Sequence, residues 1–186
     1  MKKFVFVIAA ALFALTANAT QLVTNGDFQT GNISGWTLTG NTGNSAVLTG
    51  AGSDSSFAWY GGAIGSLGYL NQNLATTAGS RYDLSFDVYN PTNVTTQFDA
   101  IFNGTTVYSF TNTVMDWTHI TLTGLLASSA QTTLTFGARN DPNYIELDNV
   151  SVVAANAVPE PATLAIMLGG LALIAGLRRQ RRAPRA

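Results

Sequence analysis

The side chains in this chain that could do chemistry are few and mostly of one kind. Trp59, Tyr60, Tyr69, Tyr89, Tyr108 and Tyr144 are aromatic. A ring of this type stacks on the apolar face of a sugar, while nearby amides and carboxylates hydrogen-bond its hydroxyls. Tyr69 has Asn71 and Gln72 as neighbours, and Arg139-Asn140-Asp141 offers donors and acceptors together. Tyr89 has the opposite parity to Tyr82, Leu84, Phe86 and Val88, so it faces solvent if this stretch is a strand. The candidate ligand-binding residues are therefore Tyr69, Asn71, Gln72, Tyr89, Trp59 and Arg139. Packing is the alternative role for each ring, since aromatics are common in strands. Trp36, Trp117, Phe86 and Phe136 are assigned to the core.

No catalytic set emerges, and the chain reads as non-enzymatic. His119 is the only histidine. It alternates with Ile120 and points away from the core, as a solvated strand histidine does. No Gly-x-Ser-x-Gly elbow supplies it with a nucleophile. Asp83 and Asp87 share one strand face, but four residues at 3.3 Å each set them roughly 13 Å apart, too far for a glycosidase pair. There is no cysteine, which excludes disulfides, thiol catalysis and thiolate metal sites.

Charge narrows the partners further. Between residues 20 and 157 there are nine acids (Asp27, Asp54, Asp83, Asp87, Asp99, Asp116, Asp141, Glu146 and Asp148) against Arg81 and Arg139, a net of −7. The whole-chain value of −1 comes from the two basic ends. A body this acidic does not suit nucleic acid, whose binding rests on neutralising phosphates. It suits an anionic polysaccharide poorly and leaves neutral glycans open.

These residues need a scaffold, and the pattern for one is period-two alternation broken by turn residues about every ten positions. Strands are predicted over 36–39, 46–49, 56–60, 68–74, 81–89, 95–102, 105–110, 117–123, 132–138 and 144–153. Asn90-Pro91-Thr92-Asn93 and Asn103-Gly104 supply turns between them. Nine or ten short strands in one domain make a β-sandwich or a barrel. In the last strand Ile145 and Leu147 share a face, whereas Val150 and Val152 have the other parity. One extra residue would put all four inward, so a β-bulge is expected near Asp148-Asn149.

The ends of the chain carry an address. Lys2 and Lys3, an apolar run from Phe4 to Leu15 and Ala17-Asn18-Ala19 form a cleavable signal peptide over 1–19. From 158 to 186, Pro159-Glu160-Pro161 precedes an uncharged stretch, and Arg178, Arg179, Arg181 and Arg182 follow it. The stretch, about 162–177, is roughly 24 Å long as a helix at 1.5 Å per residue, close to one membrane crossing. The arginines keep its C-terminal side cytoplasmic. This tail resembles the PEP-CTERM sorting signal of Gram-negative bacteria. The resemblance implies an exosortase, a membrane protease-transpeptidase, as processing partner. It further implies transient anchoring in the inner membrane, then delivery to a cell surface or extracellular matrix associated with exopolysaccharide or biofilm.

The body, residues 20–157, carries a second resemblance. It opens with Asn25-Gly26-Asp27-Phe28-Gln29 and Gly35-Trp36, closes with Asp148-Asn149-Val150, and has Gly65-Ser66-Leu67-Gly68-Tyr69-Leu70-Asn71-Gln72 in its middle. It is similar to the jelly-roll, galactose-binding-like superfamily that includes many carbohydrate-binding modules. That implies an all-β jelly-roll sandwich and one structural calcium near the first and last strands. Asp148 stands at the family's closing aspartate, Gln29 stands where Glu is frequent, and Asp27 is a further ligand. Hydrogen bonding to turns is the other role open to Asp148 and Asp27. The reading is of an exported, non-enzymatic surface or matrix protein that binds a neutral polysaccharide. The alternative is a structural or adhesive matrix protein with no sugar ligand.

Overall fold

The computed structural model describes residues 20–155 apart from Ala51 and Ser55. The expected signal peptide, the span at about 162–177 and the sorting residues Pro159, Glu160, Pro161, Arg178, Arg179, Arg181 and Arg182 lie outside the described residues. Among those described, no helix is long and apolar enough to cross a membrane.

Ten strands form two five-stranded antiparallel sheets. The first sheet has the order β1 (Thr37–Gly40), β4 (Gly68–Ala75), β9 (Gln131–Asn140), β6 (Thr96–Phe102) and β7 (Thr105–Thr111). The second has the order β2 (Ser45–Thr49), β3 (Phe57–Gly61), β10 (Ile145–Ala154), β5 (Arg81–Asn90) and β8 (Met115–Leu126). This is the all-β jelly-roll sandwich that the sequence implied, and every predicted strand is present to within a few residues at its ends.

Alternation decides what each strand buries. In β5, Tyr82, Leu84, Phe86 and Val88 are buried, while Asp83, Ser85, Asp87 and Tyr89 are half-buried on the outer side. In β4, Leu70, Gln72 and Leu74 turn inward and Tyr69, Asn71 and Asn73 outward. Between the sheets Phe86, Phe98 and Phe136 pack with ring centroids 5.2–5.9 Å apart. The expected bulge lies where expected. The β10–β5 register shifts between Asp148 and Ser151, and Asn149 has φ 50°. The extra residue keeps Val150 and Val152 in the core with Ile145 and Leu147.

The opening motif is architectural. Val150 N–H donates to Gly26 O at 2.9 Å and Leu22 N–H to Val152 O at 2.9 Å, which lays the first segment along β10. A Cβ on Gly26 would lie 2.0 Å from Val150 O, so only glycine fits there. Phe28 is buried against Trp36, and Trp36 Nε1–H donates to Asn25 O at 3.0 Å. Near the other end, buried Asn140 donates through Nδ2 to Asn90 Oδ1 at 2.9 Å, a polar link between the sheets.

Candidate functional site

The antiparallel register of the second sheet sets outward residues of four strands in one row. Glu146 of β10 pairs with Tyr60 of β3 on one side and Tyr89 of β5 on the other. Beyond Tyr89, Trp117 of β8 packs on its ring, with centroids 5.7 Å apart and planes tilted by 31°. Beside Tyr60, Tyr144 meets it edge-on at 5.5 Å. One carboxylate therefore sits between two aromatic pairs. Four strands at 4.7–4.9 Å spacing make the row about 14 Å long, the reach of a short oligosaccharide. All five side chains are half-buried: held in place, yet open on one side.

The electrostatics of the row follow from burial. Burial, helped by the Glu146 charge and a hydrogen bond to that carboxylate, pushes the Tyr60 hydroxyl up to about 12, so it stays a donor. Burial also raises the Glu146 carboxyl, against the Tyr60 hydrogen bond.

The next row of the same face is acidic. Asp148 pairs with Asp87, and Asp87 with His119. The loop 50–56 folds over this row. Asp148 is fully buried, accepting through Oδ2 from Ser53 N–H at 3.0 Å and through Oδ1 from Asn149 N–H at 2.7 Å. Burial drives its carboxyl up to about 6 against those two hydrogen bonds, and the charges of Asp54 and Asp87 add to the rise. Burial also works to raise Asp87. Hydrogen bonds from Asn149, Ser53 and His119, with the His119 charge, outweigh that and hold it below its ordinary value. His119 Nδ1 lies 2.6 Å from Asp87 Oδ1 with its side chain 60% exposed. It is outward, as expected, but paired. The serine hydroxyl bonds Asp87 at 2.7 Å, so the carboxylate lies between serine and histidine and no base–nucleophile contact forms.

The outer face of the first sheet differs. Tyr69 lies over Gly137, where a Cβ would come 3.0 Å from the ring. Asn71 donates through Nδ2 to Thr37 O at 3.1 Å and Thr39 Oγ1 at 3.0 Å, and its Oδ1 accepts from Thr135 at 2.8 Å. Thr133 donates to Asn73 Oδ1 at 2.7 Å.

Several expected site residues are placed elsewhere. Gln72 points inward from β4, opposite to Tyr69 and Asn71, and holds Thr24 through N–H and carbonyl at 2.8 and 2.9 Å. Trp59 is 1% exposed, with Nε1–H on Ser45 Oγ at 2.8 Å, so no ring face is free for a ligand. Arg139 is tied to Asp141 at 2.6 Å on the first sheet. Tyr89 is on the outer side as expected; Tyr69 is outward too, but on the other sheet, so the two do not form one site. Trp117, assigned to the core, is on the outer surface. Its parity is that of His119, opposite to Ile120 and Leu122, and this signal was present in the sequence.

The three expected metal ligands are each engaged in hydrogen bonds within the chain. Gln29 donates to Ser56 Oγ at 2.6 Å and Asp148 holds Ser53, so both tether loop 50–56. Asp27 accepts from Gln29 N–H at 3.3 Å and lines a neighbouring hollow with Asn149 and Ser151. Among the described residues no three His, Cys, Asp or Glu side chains gather to hold a metal.

Comparison with known proteins agrees with both ends of this picture. The PEP-CTERM protein-sorting motif matches residues 157–182. No curated protein matches the chain. Among solved structures, the chain is similar to a CBM61 module in complex with β-1,4-galactotriose (14% identity, 73% of this chain and 99% of that one, TM-score 0.57). It is similar also to the CBM22-1–GH10 modules of Clostridium thermocellum endo-1,4-β-D-xylanase 10B complexed with xylohexaose (15%, 74% and 29%, TM-score 0.56). A third similar structure is the K3 cleaved adhesin domain of Lys-gingipain from Porphyromonas gingivalis (14%, 73% and 99%, TM-score 0.54). At these identities the likeness is one of fold.

Proposed function

We propose that this protein is an exported glycan-binding surface module without catalytic activity, associated with exopolysaccharide or biofilm material. The observation that carries the reading is the row Tyr60–Glu146–Tyr89–Trp117, closed by Tyr144, on the outer face of the second sheet. Rings held half-buried give stacking surfaces at low entropic cost, and the Tyr60 hydroxyl and Glu146 carboxylate offer hydrogen bonds to sugar hydroxyls. The carbohydrate-binding modules among the similar folds support it. The sorting motif at 157–182 supports delivery by an exosortase after a stay in the inner membrane, with the signal peptide starting export.

Glycan-array binding of the purified protein tests the reading. Retention on at least one glycan, lost in Trp117→Ala at unchanged melting temperature, is expected. An array with no retained glycan would leave the structural or adhesive role instead. Intact-mass analysis of surface material should find a C-terminus near Pro159-Glu160-Pro161, and Arg178 still attached would refute the processing step.

A structural calcium is a further part of the proposal, and the residues fit it in part. Asp148 is a buried carboxylate without a cationic partner, beside Asp54 and Asp87. With few carboxylates gathered there, most of the six to eight oxygens that calcium takes would have to be backbone carbonyls and neutral side chains.

A further inference from the structure

We propose that the ligand of the second sheet's outer face is a glycan carrying free amino groups, a polymer of at least partly unacetylated amino sugar. This rests on the glycan-binding reading and makes its ligand a cationic chain in place of the neutral one expected from the sequence.

The first argument is charge complementarity. The Tyr60–Trp117 row holds Glu146, the row beside it holds Asp87, and Asp116 adjoins Trp117. Among the described residues the only lysine or arginine side chains are Arg81 and Arg139. Arg139 belongs to the other sheet and is paired with Asp141. Arg81 starts β5 and donates to Gly124 O, eight residues from Tyr89 and so roughly 26 Å along the strand at 3.3 Å per residue. His119 is engaged by Asp87. Among the described residues Glu146 therefore has no cationic partner.

The second argument is the chemistry around that carboxylate. Tyr60 and Tyr144 stand on one side of Glu146, Tyr89 and Trp117 on the other. Aromatic faces around an anionic group make a site for an ammonium ion, which gains from the ring quadrupoles and from the carboxylate together. A neutral sugar uses the rings and offers the carboxylate only hydroxyl hydrogen bonds, so its charge stays uncompensated under the ligand. A sugar ammonium meets the rings and that charge together. Burial lifts the Glu146 carboxyl, and an ammonium beside it would act in the opposite direction by favouring the charged form. A polyanionic glycan is opposed by the carboxylates of Glu146, Asp87 and Asp116 around the row.

The test is calorimetric titration of the full-length protein in mild detergent with three probes of equal length: a glucosamine hexamer, its fully N-acetylated counterpart and cellohexaose. The pH is kept below the pKa of the sugar amines. The glucosamine hexamer should bind about tenfold or more tightly than the acetylated one, as a charge-assisted contact requires. That preference should shrink with added salt. Glu146→Gln, which keeps shape and removes charge, should level the amine and acetylated probes while leaving the melting temperature near its original value. Trp117→Ala should weaken all three. Equal binding of the three probes, or an amine preference that survives Glu146→Gln, overturns the amino-sugar inference and leaves glycan binding standing. Failure of all three to bind overturns the amino-sugar inference, and the glycan-binding reading falls with it only if the array also retains no glycan.

Discussion

The two outer faces of the sandwich share a backbone plan and differ in what their side chains do with each other. On the first sheet, polar residues satisfy one another: Asn71 with Thr37, Thr39 and Thr135, Asn73 with Thr133, Gln97 with Asp99, Arg139 with Asp141. A sugar hydroxyl arriving there must displace contacts already made. On the second sheet, rings and a carboxylate face outward, and the one half-buried acid between the rings has no cation. Outward polarity therefore does not mark a binding face. Unmet interaction capacity does.

The largest expected effect that separates the faces is electrostatic. Asp148 is raised from 3.8 to about 6, so the folded state holds its proton where the unfolded chain has lost it. Stability then falls as pH rises from about 4 to 6, by about 3 kcal/mol at about 1.4 kcal/mol per pH unit. Asp87, held below 3.8, acts oppositely and loses its contribution as pH falls below about 4. Denaturation of Asp148→Asn across this range should show the fall from 4 to 6 abolished; a slope equal to that of the unmodified protein would mean that Asp148 is not buried as an acid.

Slightly smaller is the expected response to calcium. A ligand that binds only the folded state stabilises by about 2.7 kcal/mol at a hundredfold excess over Kd. Calcium should therefore raise the melting temperature more above pH 6, where Asp148 is charged, than near pH 4, and Asp148→Ala should remove the rise. The absence of any rise at millimolar calcium would assign Asp148 to tethering loop 50–56 alone.

The comparison itself is tested by paired ring deletions. Trp117→Ala should weaken glycan retention by about 1 kcal/mol or more, whereas Tyr69→Ala should lower the melting temperature and leave retention unchanged. The reverse pattern would move the site to the first sheet. Smallest of all, Asn71→Ala should cost about 1 kcal/mol of stability through its lost hydrogen bonds, with no effect on retention.

The strands were legible because apolar alternation and turn residues are local signals. The bulge was legible for the same reason, since the parity break between Leu147 and Val150 lies within one strand. The site was harder. Gln72 and Trp117 were misplaced although parity alone puts Gln72 with Leu70 and Leu74 and Trp117 with His119; residue type was allowed to override position. Other features were beyond any local signal. The flanking of Glu146 by Tyr60 and Tyr89 depends on the register of three strands far apart in sequence. The burial of Asp148 depends on a loop that crosses the sheet from elsewhere.

The place of β10 has a mechanical consequence. It is an interior strand, hydrogen-bonded to β3 and β5, and the chain leaves it for the sorting motif. The opening segment is stitched along it through Leu22, Gly26 and Gln21. A load arriving through a C-terminal tether therefore enters an interior strand, hydrogen-bonded on both sides, which cannot peel away as an edge strand does. Pulling single molecules from the C-terminus should give one cooperative rupture at high force; stepwise peeling at low force would show that β10 does not bear the load.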